Sequence, residues 1–296
     1  DLSSSLASSL IIEEELVSIE LLSFTSFSKL HAVLNKVKKI INCKCGHMGT
    51  LDPMGCGLLP VLCGRATRLF DMSSNKTKTY RAVFKFGVST DTLDSEGKIV
   101  AKNDKVVSVE EIKTALNEFV GEFDQMPPQF SSKKINGKKA YEIARAGGVV
   151  KLSPRHITIS RFELVAQLGK NTFLFEIECS EGTYIRALCR DLARKISTCG
   201  TMCAICRTKC CGKNLKDALV LSEINADTKL IVAQDFIDLP SVFLSEKFMP
   251  NLKNGIKVLA SESVDGNFKL FCGEEFWGVA KIDNGYYKIV RNFFGG

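Results

Sequence analysis

The stretch Gly46-His47-Met48-Gly49-Thr50-Leu51-Asp52-Pro53-Met54-Gly55-Cys56-Gly57 decides how this chain is read. It places a histidine, one carboxylate and four glycines within a dozen positions. That is more backbone freedom than an ordinary core element uses. Glycine suits sharp turns and close approach to a ligand, while Asp52 before Pro53 is held extended or in a turn that can present its carboxylate outward. The plain alternative is a surface turn in which Asp52 only caps the backbone. The stretch runs on into Leu58-Leu59-Pro60 and Gly64-Arg65-Ala66-Thr67-Arg68-Leu69, and the longer string reads as an active-site loop with its flanks.

Around that loop, 296 residues with 45% hydrophobic content are enough to bury a substantial core, with one large domain and one small one. No apolar run approaches the ~18 residues of a membrane span. The start, Asp1 to Glu20, carries Glu13, Glu14 and Glu15 and no basic leading region, which argues against a secretory signal. Twelve cysteines in a chain this large read as free, mostly buried thiols in a reducing cytoplasm.

The charge is +7 overall, and its placement is uneven. Lys133, Lys134, Lys138, Lys139, Arg145, Lys151 and Arg155 face the single acid Glu142, so the segment from Lys133 to Arg155 carries +6. Concentrated positive charge beside an aromatic, Phe130, is the footprint of a polyanion site with phosphate contacts and base stacking. A solvated lysine-rich face is the bland reading of the same charges.

Local patterns place these motifs on a mixed framework. Ser108 can cap a helix with Glu111 reaching back, and Ile112, Ala115, Leu116, Phe119 and Val120 repeat at helical spacing. Phe173, Phe175, Ile177 and Cys179 alternate as one face of a strand, and Ile185, Leu188, Cys189, Leu192 and Ile196 mark a helix beyond the Glu181-Gly182 turn. Arg186 falls just after that strand-to-helix turn, where a side chain can be aimed into a cleft or simply snorkel. After Leu239-Pro240 come short strands, Lys269 to Cys272, Phe276 to Ile282 and Tyr286 to Arg291, with Asp283-Asn284-Gly285 as a hairpin signal. Cys199, Cys203, Cys206, Cys210 and Cys211 crowd together, and Cys203-x-x-Cys206 has the spacing of one metal knuckle. A structural zinc site usually shows two such pairs, so no metal is expected there.

The string GHMGTLDPMGCGLLPVLCGRATRL resembles the signature of the bacterial tRNA pseudouridine-55 synthases, the TruB family, whose catalytic aspartate sits in this Leu-Asp-Pro context. Further blocks follow in the family's order: Lys78-Thr79-Tyr80, Gly87, Thr90 to Gly97, Gln125-Met126-Pro127-Pro128-Gln129-Phe130-Ser131-Ser132-Lys133-Lys134, Tyr141 to Gly147, and Ser180-Glu181-Gly182-Thr183-Tyr184-Ile185-Arg186. The likeness extends from about Phe24 to the C-terminus.

The resemblance implies an α+β pseudouridine synthase fold, a central mixed and largely antiparallel sheet flanked by helices. It implies a catalytic domain over 24–238 with an RNA-binding insertion at about 124–155, and a small β-rich PUA-like domain over 239–296 that helps hold the tRNA. Residues 1–23 are an N-terminal segment to which no order is assigned. The implied reaction is isomerisation of the T-loop uridine, uridine 55, by a cytoplasmic enzyme that needs no cofactor, no metal and no obligatory protein partner and acts as a monomer on the T-stem loop of tRNA. It assigns catalysis to Asp52, with Arg186 holding it charged and oriented and Tyr80 against the target base. His47 would fill the space left by the flipped nucleotide. Gly49, Thr50, Leu51, Lys78, Phe130, Lys133, Lys134, Tyr141, Arg145, Tyr184 and Arg207 would complete the RNA-binding set.

Two departures stand out. Ile205-Cys206-Arg207-Thr208 aligns with a segment that normally carries two adjacent arginines, so Arg207 stands alone. The family's opening Lys-Pro-x-Gly-x-Thr-Ser is here Glu20-Leu21-Leu22-Ser23-Phe24-Thr25-Ser26, which changes packing and charge on one side of the site and could weaken activity. Two other classes fit parts of the pattern: the catalytic subunit of an RNA-guided pseudouridylation particle, and a non-catalytic tRNA-binding or tRNA-folding protein.

Overall fold

The computed structural model describes residues 16–23, 27–72, 76–131, 134–135, 137–148 and 150–293, with backbone alone for 16–23, 27–31, 134–135 and 138–139. Its elements in the first half are β1 (Leu16–Ser23), α1 (Phe27–Ile41), β2 (Cys45–His47), β3 (Cys56–Cys63), β4 (Lys78–Phe86), β5 (Val88–Thr90), β6 (Ile99–Lys102), α2 (Val109–Leu116) and β7 (Gly121–Gln125). Then come β8 (Lys134–Ile135), β9 (Lys138–Lys139), α3 (Ala140–Arg145), β10 (Arg155–Gly169), β11 (Thr172–Cys179), α4 (Ile185–Lys195), β12 (Gly200–Cys210), β13 (Lys213–Asn214) and β14 (Leu219–Val220). The chain ends with β15 (Ile231–Val232), α5 (Ala233–Phe236), β16 (Ser241–Leu244), α6 (Met249–Lys253), β17 (Asn267–Cys272), β18 (Glu275–Asp283) and β19 (Tyr286–Asn292).

The large sheet runs β14-β1-β3-β12-β4-β11-β10-β7 and is antiparallel except at β1/β14 and β3/β12. Alternation explains how it is covered. Phe173, Phe175, Ile177 and Cys179 of β11 point to one face, as their spacing predicts, and join Phe84, Phe86 and Phe162 in a core capped by α2 and α4. The Ser108 cap is a full capping box, with Ser108 Oγ accepting from Glu111 N–H and Glu111 accepting from Ser108 N–H. The α-helix stops at Leu116, however. A 3₁₀ turn carries Phe119 onto the core and leaves Val120 exposed, because Gly121 then opens β7 at a positive φ.

The strand Leu16–Ser23 pairs along its length with β3, so the large sheet takes in residues ahead of position 24. One expectation is corrected here. Cys56–Cys63, read as the continuation of a loop, is a strand buried on both faces. Leu58 and Leu62 point one way, and Leu59, Val61 and Cys63 pack toward Val33, Val37 and Ile41 of α1. Pro60 and the surrounding glycines hide this strand from a propensity reading. At the C-terminus, β16 to β19 form a separate four-stranded sheet whose hairpin turns at Asn284 and Gly285, both at positive φ as the Asp-Asn-Gly signal requires. Val279 and Phe293 of this sheet pack against Leu58, Leu62 and Leu69, and Arg68 donates to the Asn292 carbonyl at 2.8 Å.

Candidate active site

Asp52 lies in the loop between β2 and β3, and its neighbours anchor it in two directions. Leu51 is buried in the core under α1, while Met54 packs against the phenylalanine core. Gly55 N–H closes a turn on the Asp52 carbonyl at 2.8 Å. The loop then enters β3 at Gly57, where φ is +109° and a Cβ would sit 2.4 Å from the Arg207 carbonyl oxygen. No side chain fits there. This is the physical reason for one of the loop's glycines.

Arg186 reaches the same place from the first turn of α4. A tight segment sets its position: Gln125, itself buried, accepts from Tyr184 N–H at 2.8 Å and donates to the Tyr184 carbonyl at 3.1 Å. Gly182, at positive φ, leaves room for the Arg155 guanidinium. The Arg186 Nε and Nη2 atoms donate to the two carboxylate oxygens of Asp52 at 3.1 and 2.8 Å, a two-pronged pair. Nη2 also donates to the Phe130 carbonyl at 3.1 Å and Nη1 to the Thr92 carbonyl at 2.8 Å. Side-chain exposure is 7% for Arg186 against 28% for Asp52, so the cation is sealed while the carboxylate opens toward solvent. Burial pushes the guanidinium pKa down, but the charges of Asp52 and Asp94 and the hydrogen bonds to Asp52 outweigh it and the net shift is upward. Arg186 is therefore a permanent cation, and the group it orients is an accessible, aimed carboxylate.

Asp94 is the site residue that sequence reasoning missed. It lies 3.5 Å from Arg186 Nη1 and is buried, with Oδ1 accepting from Thr92 Oγ1 at 2.6 Å and Glu96 N–H at 3.2 Å. The block Thr90 to Gly97 is visible in sequence, but which of its acids turns inward depends on a turn with Leu93 at φ +64°.

The strand register sets Gly57, Arg207, Tyr80 and Ile177 in one row across β3, β12, β4 and β11. Tyr80 is buried in the core cluster, and burial pushes its phenol pKa well up, against the pull of the Arg207 charge. Arg207, expected in the RNA-binding set, lies inside the protein. Its side chain is fully buried, with Nε donating to the Leu58 carbonyl at 2.7 Å and Nη2 to the Gly49 carbonyl at 3.3 Å. It braces the loop from inside. Lys78, at the start of β4, brings Nζ to the same face of Gly49 as the Arg207 guanidinium.

Of the remaining residues, His47 is half-buried on β2 opposite Val61, and Thr50 is exposed. Phe130 and Tyr184 are half-buried beside Arg186. Tyr141 opens α3 with Arg145 over its ring at 5.6 Å from the centroid. Lys134 belongs to the small β8–β9 hairpin, its side chain lying outside the described residues, as does Lys133 altogether. Cys203 and Cys206 do not come together as a knuckle. Both lie on β12, and the Cys206 thiol meets Cys56, which raises its pKa. Among the described residues no helix is long and apolar enough to cross a membrane.

Residues 36–185 match the family model described as TruB family pseudouridylate synthase, N terminal domain. The chain belongs to the TruB family. It is 39% identical over 228 residues to the tRNA pseudouridine synthase B of Caldanaerobacter subterraneus subsp. tengcongensis, covering 76% of this chain and 80% of the relative. It is 36% identical over 273 residues to that of Francisella philomiragia, covering 88% and 89%. The fold is similar to that of a Cbf5-Nop10-Gar1 complex, with TM-score 0.71 at 19% identity over 97% of this chain and 87% of that one. An H/ACA RNP bound to a substrate RNA gives TM-score 0.70 at 18% identity, with the same coverage of 97% and 87%. As a TruB-family protein the chain is a pseudouridine synthase, an isomerase.

Proposed function

We propose that this enzyme acts on tRNA and isomerises the T-loop uridine, uridine 55, to pseudouridine, working alone and without a guide RNA. The reaction breaks the base-sugar C–N bond, turns the detached uracil and joins its carbon 5 to the sugar. Carbon 5 gives up its hydrogen and the freed ring nitrogen takes up a proton, so no electrons leave. The enzyme must supply one ionised carboxylate and a pocket that keeps the free base from escaping. Asp52 is that carboxylate, adding to the ring or removing a ribose proton. Arg186 fixes its direction through two hydrogen bonds, which a flexible ammonium does not reproduce. Tyr80, a neutral phenol because it is buried, lies against the base and serves its proton traffic. The uridine reaches Asp52 only when flipped out of the T-loop, with His47 taking its place and the basic segment Lys133 to Arg155 holding phosphates.

The observation that carries this reading is the two-pronged Asp52–Arg186 pair, in which the carboxylate is partly open to solvent and its partner is sealed. Specificity for tRNA rests on relatives at 39% and 36% identity whose names state that substrate. The likeness to guide-dependent assemblies, at 18–19% identity, concerns the fold. The test is to incubate the pure protein with a T-stem-loop transcript and no guide RNA. Pseudouridine at the single T-loop position is expected. Binding without product would make the chain an RNA-folding protein, and neither binding nor product would make it dependent on partners.

A further inference from the structure

Away from the Asp52–Arg186 pair, Cys43, Cys45 and Cys63 bring their sulfurs within 4.8 Å of one another, the one metal-capable group of three or more His, Cys, Asp or Glu among the described residues. Three elements build it. Helix α1 ends at Ile41, Asn42 turns the chain at φ +52°, and Cys43 follows at once. Cys45 opens β2 directly opposite Cys63, the last residue of β3. Gly64 N–H to the Lys44 carbonyl, at 2.8 Å, ties the turn to the strand end.

The spacing suits a shared cation better than a covalent bridge. Cys45 Sγ and Cys63 Sγ are 3.9 Å apart. Metal–sulfur bonds of about 2.3 Å around a tetrahedral ion put sulfurs about 3.8 Å apart. A disulfide needs about 2.05 Å and would have to pull the strands' side chains together. Cys63 is buried against Val37 and Ile41, which shields the sulfurs, while Cys43 and Cys45 are half-exposed and give an ion its path in.

We propose that Cys43, Cys45 and Cys63 form a binding site for one thiophilic closed-shell cation, zinc(II) or copper(I), held by three thiolates. Soft thiolate sets select these ions. The ion would pin the end of α1, β2 and β3 together at the base of the loop that carries Asp52. Its role is to hold that base, since the isomerisation uses none of these sulfurs. The inference is independent of the substrate assigned above.

The test uses the full chain, reduced and freed of metal, titrated with zinc(II) alone and, under anaerobic conditions, with copper(I) alone against a chromophoric chelator. One tight equivalent per chain of one of the two is expected, with X-ray absorption at the metal edge counting three sulfurs and a higher melting temperature than the metal-free form. Cys43→Ser and Cys45→Ser should each weaken binding by about a hundredfold or more, while Cys203→Ser leaves it unchanged. Metal-free melting curves establish that the variants fold. Should either variant unfold, mapping which thiols of the wild-type chain the metal protects from alkylation decides the matter, with Cys43, Cys45 and Cys63 expected. Unchanged affinity in both folded variants, protection of other thiols, or no tight equivalent in the wild type would overturn the site. So would a Cys45–Cys63 disulfide persisting in the reduced protein.

Discussion

Arg186 and Arg207 are both sealed from solvent, at 6% and 0% exposure, yet they meet opposite kinds of partner. Arg186 faces two carboxylates, Asp52 and Asp94, and two carbonyls. Arg207 donates to the carbonyl oxygens of Leu58 on β3 and Gly49 in the loop, and its side chain also meets the neutral Tyr80 phenol. One arginine therefore orients the carboxylate proposed to react, and the other fixes the shape of the backbone that presents it. The loop is gripped at both ends, but only one grip is chemical. Substitutions at the two ends should separate accordingly into losses of rate and losses of stability.

The largest effect belongs to the carboxylate itself. Asp52→Asn keeps the size of the side chain and one acceptor for Arg186 but removes the charge, so release of the carbon-5 hydrogen from labelled uridine should fall below about a hundredth of wild type. Binding of tRNA should stay within a few-fold. Turnover above that level would move the chemistry to another residue, and the buried Asp94 would be the first to examine.

Next comes Arg186→Lys. An ammonium keeps the charge but cannot fork onto both oxygens of Asp52 while also serving the Phe130 and Thr92 carbonyls. A fall in kcat of about ten- to a hundredfold is expected, with KM little changed, because the loss lies in the aim of the carboxylate and not in ground-state binding. An unchanged kcat would reduce Arg186 to a structural cation and erase the contrast with Arg207.

Arg207→Met sharpens the other side. The substitution keeps a long apolar stem and deletes both donors, leaving the Leu58 and Gly49 carbonyls without them at a cost of about 1–3 kcal/mol each. Removing a buried charge offsets part of that. A net loss of about 1–3 kcal/mol is expected, seen as a lower melting temperature, with kcat at low temperature within about tenfold of wild type. A higher melting temperature would show that desolvating the guanidinium outweighs its hydrogen bonds.

The same contrast explains how much of the molecule was legible in its sequence. Periodic elements were readable because their signal is local: the alternation of β11, the α4 stripe, the Ser108 capping box and the Asn284-Gly285 turn each lie within a dozen residues. Asp52 and Arg186 came from a family likeness, and the structure brings them together across 134 positions of sequence. Asp94 and Arg207 went unread or misread because burial depends on contacts from distant strands. A lone arginine in sequence resembles an RNA contact whether it faces solvent or Leu58. Strand β3 was hidden by Pro60, whose carbonyl still accepts from Met48 N–H at 3.0 Å although its nitrogen has no hydrogen to donate. The thiol group was overlooked for a related reason. Cys63 reaches Cys43 and Cys45 only through the β2–β3 ladder, whereas the crowding of Cys199 to Cys211 is visible on the page and brings together no group of three thiols.

The smallest effect tests charge pairing where water is present. His156 on β10 pairs with Asp124 at 3.2 Å and with Glu122 at 3.5 Å, on the strand that ends at Gln125 and so at the Tyr184 clasp. The hydrogen bond to Asp124, then that to Glu122, raises the imidazole pKa above its ordinary value near 6.5. Because the folded pKa is the higher one, the pairing stabilises fully below the unfolded value and is lost as pH rises through the folded value. Its side chain is 65% exposed, so the benefit should be small and screened by salt. His156→Gln should therefore lower the melting temperature slightly at mildly acidic pH in low salt. The difference should vanish at mildly alkaline pH and at high salt. An equal difference at both pH values would assign His156 a packing role. A difference as large as that of Arg207→Met would break the rule drawn from the two arginines, that in this fold burial, and not charge alone, makes a cation structural.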